Sequence, residues 1–277
     1  MLDPQLQAKI IQDARDFMKH GFKADLQGFE SDQDLKKPQP PLVKPAMCPD
    51  SEAISLPRNF EALHLEQNLL ELLLVRKSAR VYTGQSVSLL ALSFMLWATQ
   101  GVKDIRGKSY ATLRTVPSGG ARHGYETYLI VRHVEGLRAG KYHYLPVEHK
   151  LEFLGSLAEE RETISESLMG QTWAEKASVI FYWSFIPYRC EWRYGVFAHR
   201  VALMDAGHID QNLYLACASL GLGTCAIAAF DGTLCDQIFG LDGEEEFMAY
   251  VAPVGTVSEK DRSAEKAFYQ FVEDQDL

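Results

Sequence analysis

Leucine recurs at 63, 65, 69, 70, 72, 73 and 74, too densely for a one-sided amphipathic face, so residues 59–74 are expected to form a helix buried on several sides. A second apolar helix is predicted over 89–97. A third, over 197–220, carries Ala202, Ala206, Gly207, Ala216 and Ala218, small residues that let helices approach closely. Such contact suits a dimer core or the buried central helix of a monomer. Apolar runs at 127–133, 140–145 and 178–185 predict strands. A strand at 224–229, a short helix at 233–239 and a last strand at 248–254 complete an α+β layer fold. Residues 6–18 have amphipathic helical spacing. The stretch SDQDLKKPQPPLVKPAMCPD then places Pro38, Pro40, Pro41, Pro45 and Pro49 where they interrupt any regular element. The pattern divides the chain into a helix and proline-rich arm, residues 1–57, and one larger domain, residues 58–277. The arm reads either as a loose tail or as an extension laid along a partner.

Composition narrows the function classes. With 277 residues, 47% of them hydrophobic, the chain can bury a sizeable core. Its net charge of -9 argues against a nucleic-acid surface, which needs a basic face. No apolar run approaches the roughly 18 residues of a membrane helix, and the first residues lack a signal-peptide core, so a cytoplasmic protein is expected. Five cysteines, an odd number with no C-x-x-C pair, fit a reducing compartment, and Cys217 and Cys225 read as small core residues. The eight histidines form no metal-site pattern, and no metal is expected. His143 and His149 flank a strand and a turn.

Three segments carry candidate chemistry. In WRYGVFAHRVALMDAGHIDQNLYLACASLGLGTCAIAAFD, residues 192–231, the small-residue helix ends in a glycine-spaced turn. Gly221 and Gly223 let backbone approach a flat ligand, although a plain helix C-cap has the same pattern. In RKSAR, residues 76–80, the alternating Arg76, Ser78 and Arg80 can converge on one anion, such as a phosphate. A solvated basic turn after a helix reads the same way. In RTVPSGGARHGYETYLIV, residues 114–131, a Pro-Ser-Gly-Gly turn leads into an alternating strand from 126 to 131 and can wrap a ligand closely; it can equally be an ordinary turn.

In order along the chain, RKSAR, SLLALSFMLWATQG, PSGGARH, ETYLIVRHVEGLRAGKYHYLP, RYGVFAHRVALMDAGHIDQNL, LGLGTCAI and VAPVGT resemble the flavin-binding pattern of the nitroreductase superfamily. The resemblance is greatest to its SagB-type dehydrogenase branch, which includes thiazoline and oxazoline oxidases, and covers roughly residues 65–257. It implies a nitroreductase-like fold with a central, mainly antiparallel sheet packed by helices, two intertwined subunits sharing fold and active site, and FMN as cofactor. By resemblance Arg80 faces N1 and O2 of the flavin ring, while Arg76 and Ser78 lie on the phosphate and ribityl side. Pro117, Ser118, Gly119 and Gly120 pack along the ring and ribityl chain. Gly221, Leu222, Gly223 and Thr224 present backbone to N5 and O4, and Lys260 and Arg262 supply a second cationic pair for the phosphate. The azoline-oxidising members carry a Lys-Tyr pair where this chain has Arg193-Tyr194. Arginine stays protonated and cannot act as the base, which counts against azoline oxidation. Tyr194 is the candidate proton donor, with Arg193 holding an anionic group; both can also simply cap the long helix. No G-x-G-x-x-G follows a strand, so a nicotinamide is expected to bind transiently on the flavin. The implied function is NAD(P)H-dependent reduction of a nitroaromatic, a quinone or an activated alkene by a homodimeric flavoprotein. An azoline dehydrogenase and a non-catalytic flavin-binding scaffold are the alternatives.

Overall fold

Strand β4 (Tyr125–Val131) is buried along its whole length, and its side chains alternate between two apolar layers. Tyr125, Leu129 and Val131 face one core, Tyr128 and Ile130 the other. Strand β7 (Val179–Phe185) does the same, with Phe181 and Trp183 on the first side and Ile180 and Tyr182 on the second. The computed structural model describes residues 3–19, 28–48, 53–258, 260, 270–271 and 273–275. Around β4 and β7 runs a seven-stranded sheet in the order β1-β6-β5-β4-β7-β9-β8, antiparallel at every pairing. Its other strands are β1 (Ile54–Ser55), β5 (Gly140–Leu145), β6 (Lys150–Gly155), β8 (Leu222–Thr224) and β9 (Phe247–Thr256). A separate hairpin joins β2 (Val102–Arg106) to β3 (Ala111–Arg114).

Helices close both faces. The central α6 (Ala198–Ser219) and α3 (Leu89–Gln100) contribute Ala198, Ala202, Ile209, Leu213, Leu92, Met95 and Leu96 to the first core. Ile164 of α4 (Glu160–Ser167) and Ile238 and Phe239 of α7 (Gly232–Phe239) fill the second. Helix α5 (Pro187–Tyr194) leads into α6, while α1 (Pro4–Met18) stands with every residue exposed. The sheet is the expected α+β arrangement, with Cys217 and Cys225 buried as expected. No helix among the described residues is long and apolar enough to cross a membrane.

Two element readings change. The leucine-rich stretch is not a helix over 59–74. It forms a single turn of 3-10 helix at Phe60–Ala62 and a short α2 (Leu69–Val75) started by Asn68, whose side chain accepts the Leu70 N–H at 3.0 Å. Between them, Glu66 is tied to the end of α6 through its N–H to the Ser219 carbonyl (3.1 Å) and its carbonyl to the Ser219 hydroxyl (2.7 Å). Nor is α2 buried on several sides: Leu72 alone is buried, while Leu69, Leu70, Leu73, Leu74 and Val75 are each more than half exposed. The strand expected over 224–229 stops at Thr224, because the Ala226 N–H turns to the Tyr214 hydroxyl (2.9 Å) and pairing resumes only at an isolated bridge between Ile227 and Val251.

Within the arm, residues 28–48 are no loose tail, whereas α1 makes no buried contact. Residues 28–48 form a strap bound to this same chain. The Lys44 N–H donates to Glu126 at 2.8 Å, and the Met47 and Cys48 N–H groups donate to the two oxygens of Glu152, each at 2.9 Å. Arg114 reaches the Leu42 carbonyl at 3.3 Å and Trp192 the Lys37 carbonyl at 3.0 Å. Beyond the strap, β1 adds an edge strand to the sheet.

Candidate active site

The RKSAR and LGLGT segments meet. Ser78 forms an isolated parallel bridge with Thr224, and the Ala79 N–H donates to the Thr224 carbonyl at 2.8 Å. Close approach needs the glycine: a Cβ on Gly223 would sit 2.6 Å from Ala79 Cβ and 2.5 Å from Val257 Cγ1. Beneath them Tyr214 of α6 shares a 2.9 Å hydrogen bond with the Ser78 hydroxyl, and the Arg76 guanidinium stacks over its ring at 5.2 Å. Arg80 and Ser78 are exposed, and no carboxylate among the described residues pairs with Arg76 or Arg80. Two guanidinium groups without carboxylate partners and a hydroxyl on one short segment have the chemistry to bind an anion. Gly221 has φ +70°, and the helix ends there. Lys260 is exposed just past β9, and Arg262 lies outside the described residues.

The second group gathers at the other end of α6. The PSGG turn is pinned by Asp205, which accepts the Ser118 hydroxyl at 2.6 Å and the Gly119 N–H at 3.0 Å. Burial raises the Asp205 pKa, though these hydrogen bonds oppose it. Gly119 lies so close to α6 that a Cβ there would come within 2.2 Å of Val201 Cγ1. Gly120, at φ +55°, faces Arg193 and Tyr194: its Cβ would sit 2.5 Å from Arg193 Cδ and 2.8 Å from the Tyr194 hydroxyl. The turn and the Arg193-Tyr194 pair therefore share one corner. Within one chain the two groups stand apart, since Asp205 and Tyr214 are separated by about 14 Å of helix rise.

Arg193 is held by neutral partners. Its Nη1 donates to Gln33 Oε1 at 3.1 Å and to the Tyr110 hydroxyl at 2.8 Å, and its guanidinium lies 5.7 Å from the Tyr194 ring centroid. Burial works to lower its pKa, but its interactions with the Tyr194 and Tyr110 hydroxyls outweigh that and raise it. Arg193 stays a cation.

A buried charge cluster lies under the strap. Glu126 takes Arg189 at 2.5 Å and His143 at 3.4 Å, and His143 Nδ1 meets Glu152 at 2.6 Å. Burial alone would lower the His143 pKa, yet its two carboxylate partners raise it. Burial would raise Glu126, and Arg189, followed by His143 and Arg114, holds it well below the usual carboxylate range. These charges sit inside because each is paired.

Sequence reading did not find Asp205, Tyr214, Tyr110, Gln33 or Phe29. A carboxylate among the small residues of α6 is the one local signal that marks Asp205; the others are joined only by the fold.

The Nitroreductase family model matches residues 73–256. A nitroreductase-family protein of Methanocaldococcus jannaschii, MJ1384, is 33% identical over 207 residues, spanning 74% of this chain and 97% of that protein. The trifolitoxin-processing protein TfxB of Rhizobium leguminosarum bv. trifolii is 29% identical over 136 residues, 47% of this chain and 36% of its own length. Among solved structures, a nitroreductase-family protein of Ralstonia eutropha JMP134 superposes with a TM-score of 0.62 at 25% identity, covering 80% of this chain and 98% of that one.

Proposed function

The chain belongs to the nitroreductase family, a family of flavin oxidoreductases, and from that premise we propose that it is an FMN-dependent oxidoreductase. It takes reducing equivalents from NADH or NADPH and passes them to a small nitroaromatic, quinone or activated-alkene acceptor. The carrying observation is the Ser78–Thr224 junction, where Arg76 and Arg80 stand without carboxylate partners beside glycine-thinned backbone. A phosphate-bearing planar cofactor fits that donor set. Bound FMN would supply the two-electron chemistry. Arg76, Ser78 and Lys260 would hold its phosphate side, Arg80 would offset charge at the ring, and the backbone of residues 221–224 and 117–120 would border the ring. Tyr194 hands a proton to the acceptor, while Arg193, fixed as a cation, binds rather than deprotonates.

A homodimer completes the site. The exposed leucines of α2, at one end of α6, and Leu203 and Met204, exposed toward its other end, supply apolar surface. The distance between the two residue groups within one chain favours pairing each group with its counterpart on a second copy. Similarity to TfxB supports one further reading, azoline dehydrogenation on a peptide. That reading needs a base where Arg193 stands, and it ranks second.

The test is a visible spectrum of the purified protein, identification of the released chromophore, and anaerobic mixing with NADH and NADPH. FMN that bleaches with either nicotinamide is expected. A colourless protein that also fails to take up added FMN would overturn the reading.

A further inference from the structure

Arg193 and Arg122 place two guanidinium groups on the corner formed by the PSGG turn and the end of α5, and both engage Tyr110. Arg193 donates to the Tyr110 hydroxyl, and Arg122 lies 4.9 Å from its ring centroid while donating to its carbonyl at 2.9 Å. Arg122 gives its Nε to the Gly120 carbonyl at 3.0 Å. No carboxylate among the described residues pairs with either group. Asp34, a carboxylate that feels the Arg193 charge, is committed to the N–H and hydroxyl of Ser31, at 3.0 and 2.7 Å. On a chain of net charge -9, a half-buried Arg193 hydrogen-bonded only to neutral groups, with the buried Arg122 cation behind it, suits an incoming anion.

The walls of this corner are aromatic. Tyr194 lies against the Arg193 guanidinium. Phe29 of the strap fills the space that a side chain at Gly195 would need, with its Cζ 2.0 Å from the position of a Cβ there, and it meets Phe197 edge-on at 6.4 Å. Gln33, four residues along the strap, sets the guanidinium direction: its Oε1 accepts from Arg193 and its Nε2 donates to the Tyr110 hydroxyl at 3.2 Å. The Gln33 N–H is anchored on the Trp192 carbonyl at 2.8 Å, so the strap and the Arg193 turn move together.

We propose that this corner is a carboxylate receptor, in which Arg193, positioned by Gln33 and Tyr110, selects a planar conjugated acceptor bearing a carboxylate. The inference rests on the oxidoreductase reading and deepens it by naming the acceptor class. Arg193 contacts the substrate anion; Gln33 acts through Arg193 and is a positioning residue.

Isothermal titration calorimetry of the FMN-loaded protein with sodium benzoate and with benzamide tests it. Both probes share ring and size, and only one carries the charge. Benzoate is expected to bind at least about ten-fold more tightly than benzamide. Arg193→Gln removes the difference. Arg193→Lys keeps the charge, loses the fork and retains a reduced preference. Gln33→Glu, nearly isosteric, pairs internally with Arg193 and removes the preference, with benzamide binding unchanged; Gln33→Ala reduces it by about three-fold. A merely structural Gln33 would respond to the Ala change and ignore the charge of Glu. Equal affinity for the two probes in the natural protein overturns the proposal, as does a benzoate preference that survives both Arg193→Gln and Gln33→Glu. If Arg193→Gln melts early, Gln33→Glu decides. Failure to take up FMN counts against the oxidoreductase reading alone, because the same titrations on the flavin-free protein still score the receptor.

Discussion

Arg80 and His149 mark two kinds of polar residue in this chain. Arg80 is exposed and unpaired with any carboxylate among the described residues, so the fold does not need it. Arg80→Ala should leave the melting temperature unchanged while weakening FMN binding about ten-fold or more and slowing flavin reduction. Fluorescence titration checks the first effect; unchanged affinity would remove Arg80 from the site. His149 is buried, with Nε2 against the Ser93 hydroxyl at 2.8 Å and Nδ1 against the Tyr144 hydroxyl at 2.7 Å. Burial, aided by Arg58, lowers its pKa to about 4 from an ordinary 6.5. Between those values the unfolded chain binds the proton and the folded chain does not, so stability falls as pH drops from 6.5 toward 4, by roughly 3 kcal/mol. Denaturant titrations at pH 7 and pH 4.5 should show that loss in the natural protein and a smaller one in His149→Asn. The two residues also differ in legibility. Arg80 sits in a spaced local motif, whereas the role of His149 depends on Ser93, 56 positions away, and no local pattern announces it.

At the scale of elements, the strap is held largely through its own backbone. Glu152 accepts two strap N–H groups and flanks His143. Glu152→Ala should therefore cost about 3 kcal/mol, since it leaves His143 with one carboxylate fewer and frees the strap. Trypsin should then cut after Lys36, since Pro38 blocks the bond after Lys37, while the rest of the domain resists, and cleavage no faster than in the natural protein would contradict this hold. Periodicity located β5 to the residue and β7 and α6 to within one or two positions, because the sheet and central helix follow the apolar pattern of their own sequence. It failed on residues 59–74, where tertiary ties from Glu66 to Ser219 hold the chain extended and leucine density reflected an exposed apolar face instead of a buried helix. The strand expected as alternating over 126–131 is buried along its whole length. Glu126 is fully enclosed there, made tolerable by Arg189, 63 residues later.

For the molecule as a whole, the exposed apolar residues of α2 and α6 matter most. A stable monomer seldom leaves so many leucines on neighbouring helices uncovered. Sedimentation should report a dimer, and replacing Leu70 and Leu74 together with Asp should shift it to monomer and lower flavin occupancy with it. Undiminished flavin content in a monomeric variant would show that one chain binds FMN unaided. The family and fold were legible because RKSAR, PSGG and LGLGT occur in order. The corner built by Gln33, Tyr110 and Arg193 was not, because its members come from the strap, a hairpin and the end of α5. That construction has an evolutionary side. The buried acids grip amide hydrogens of the strap, which nearly every amino acid possesses, so positions 29 and 33 can be rewritten generation after generation while the strap keeps its course. Under the proposed function, a lineage can thus trade one acceptor for another by editing a few letters of the arm, leaving the proposed flavin site untouched.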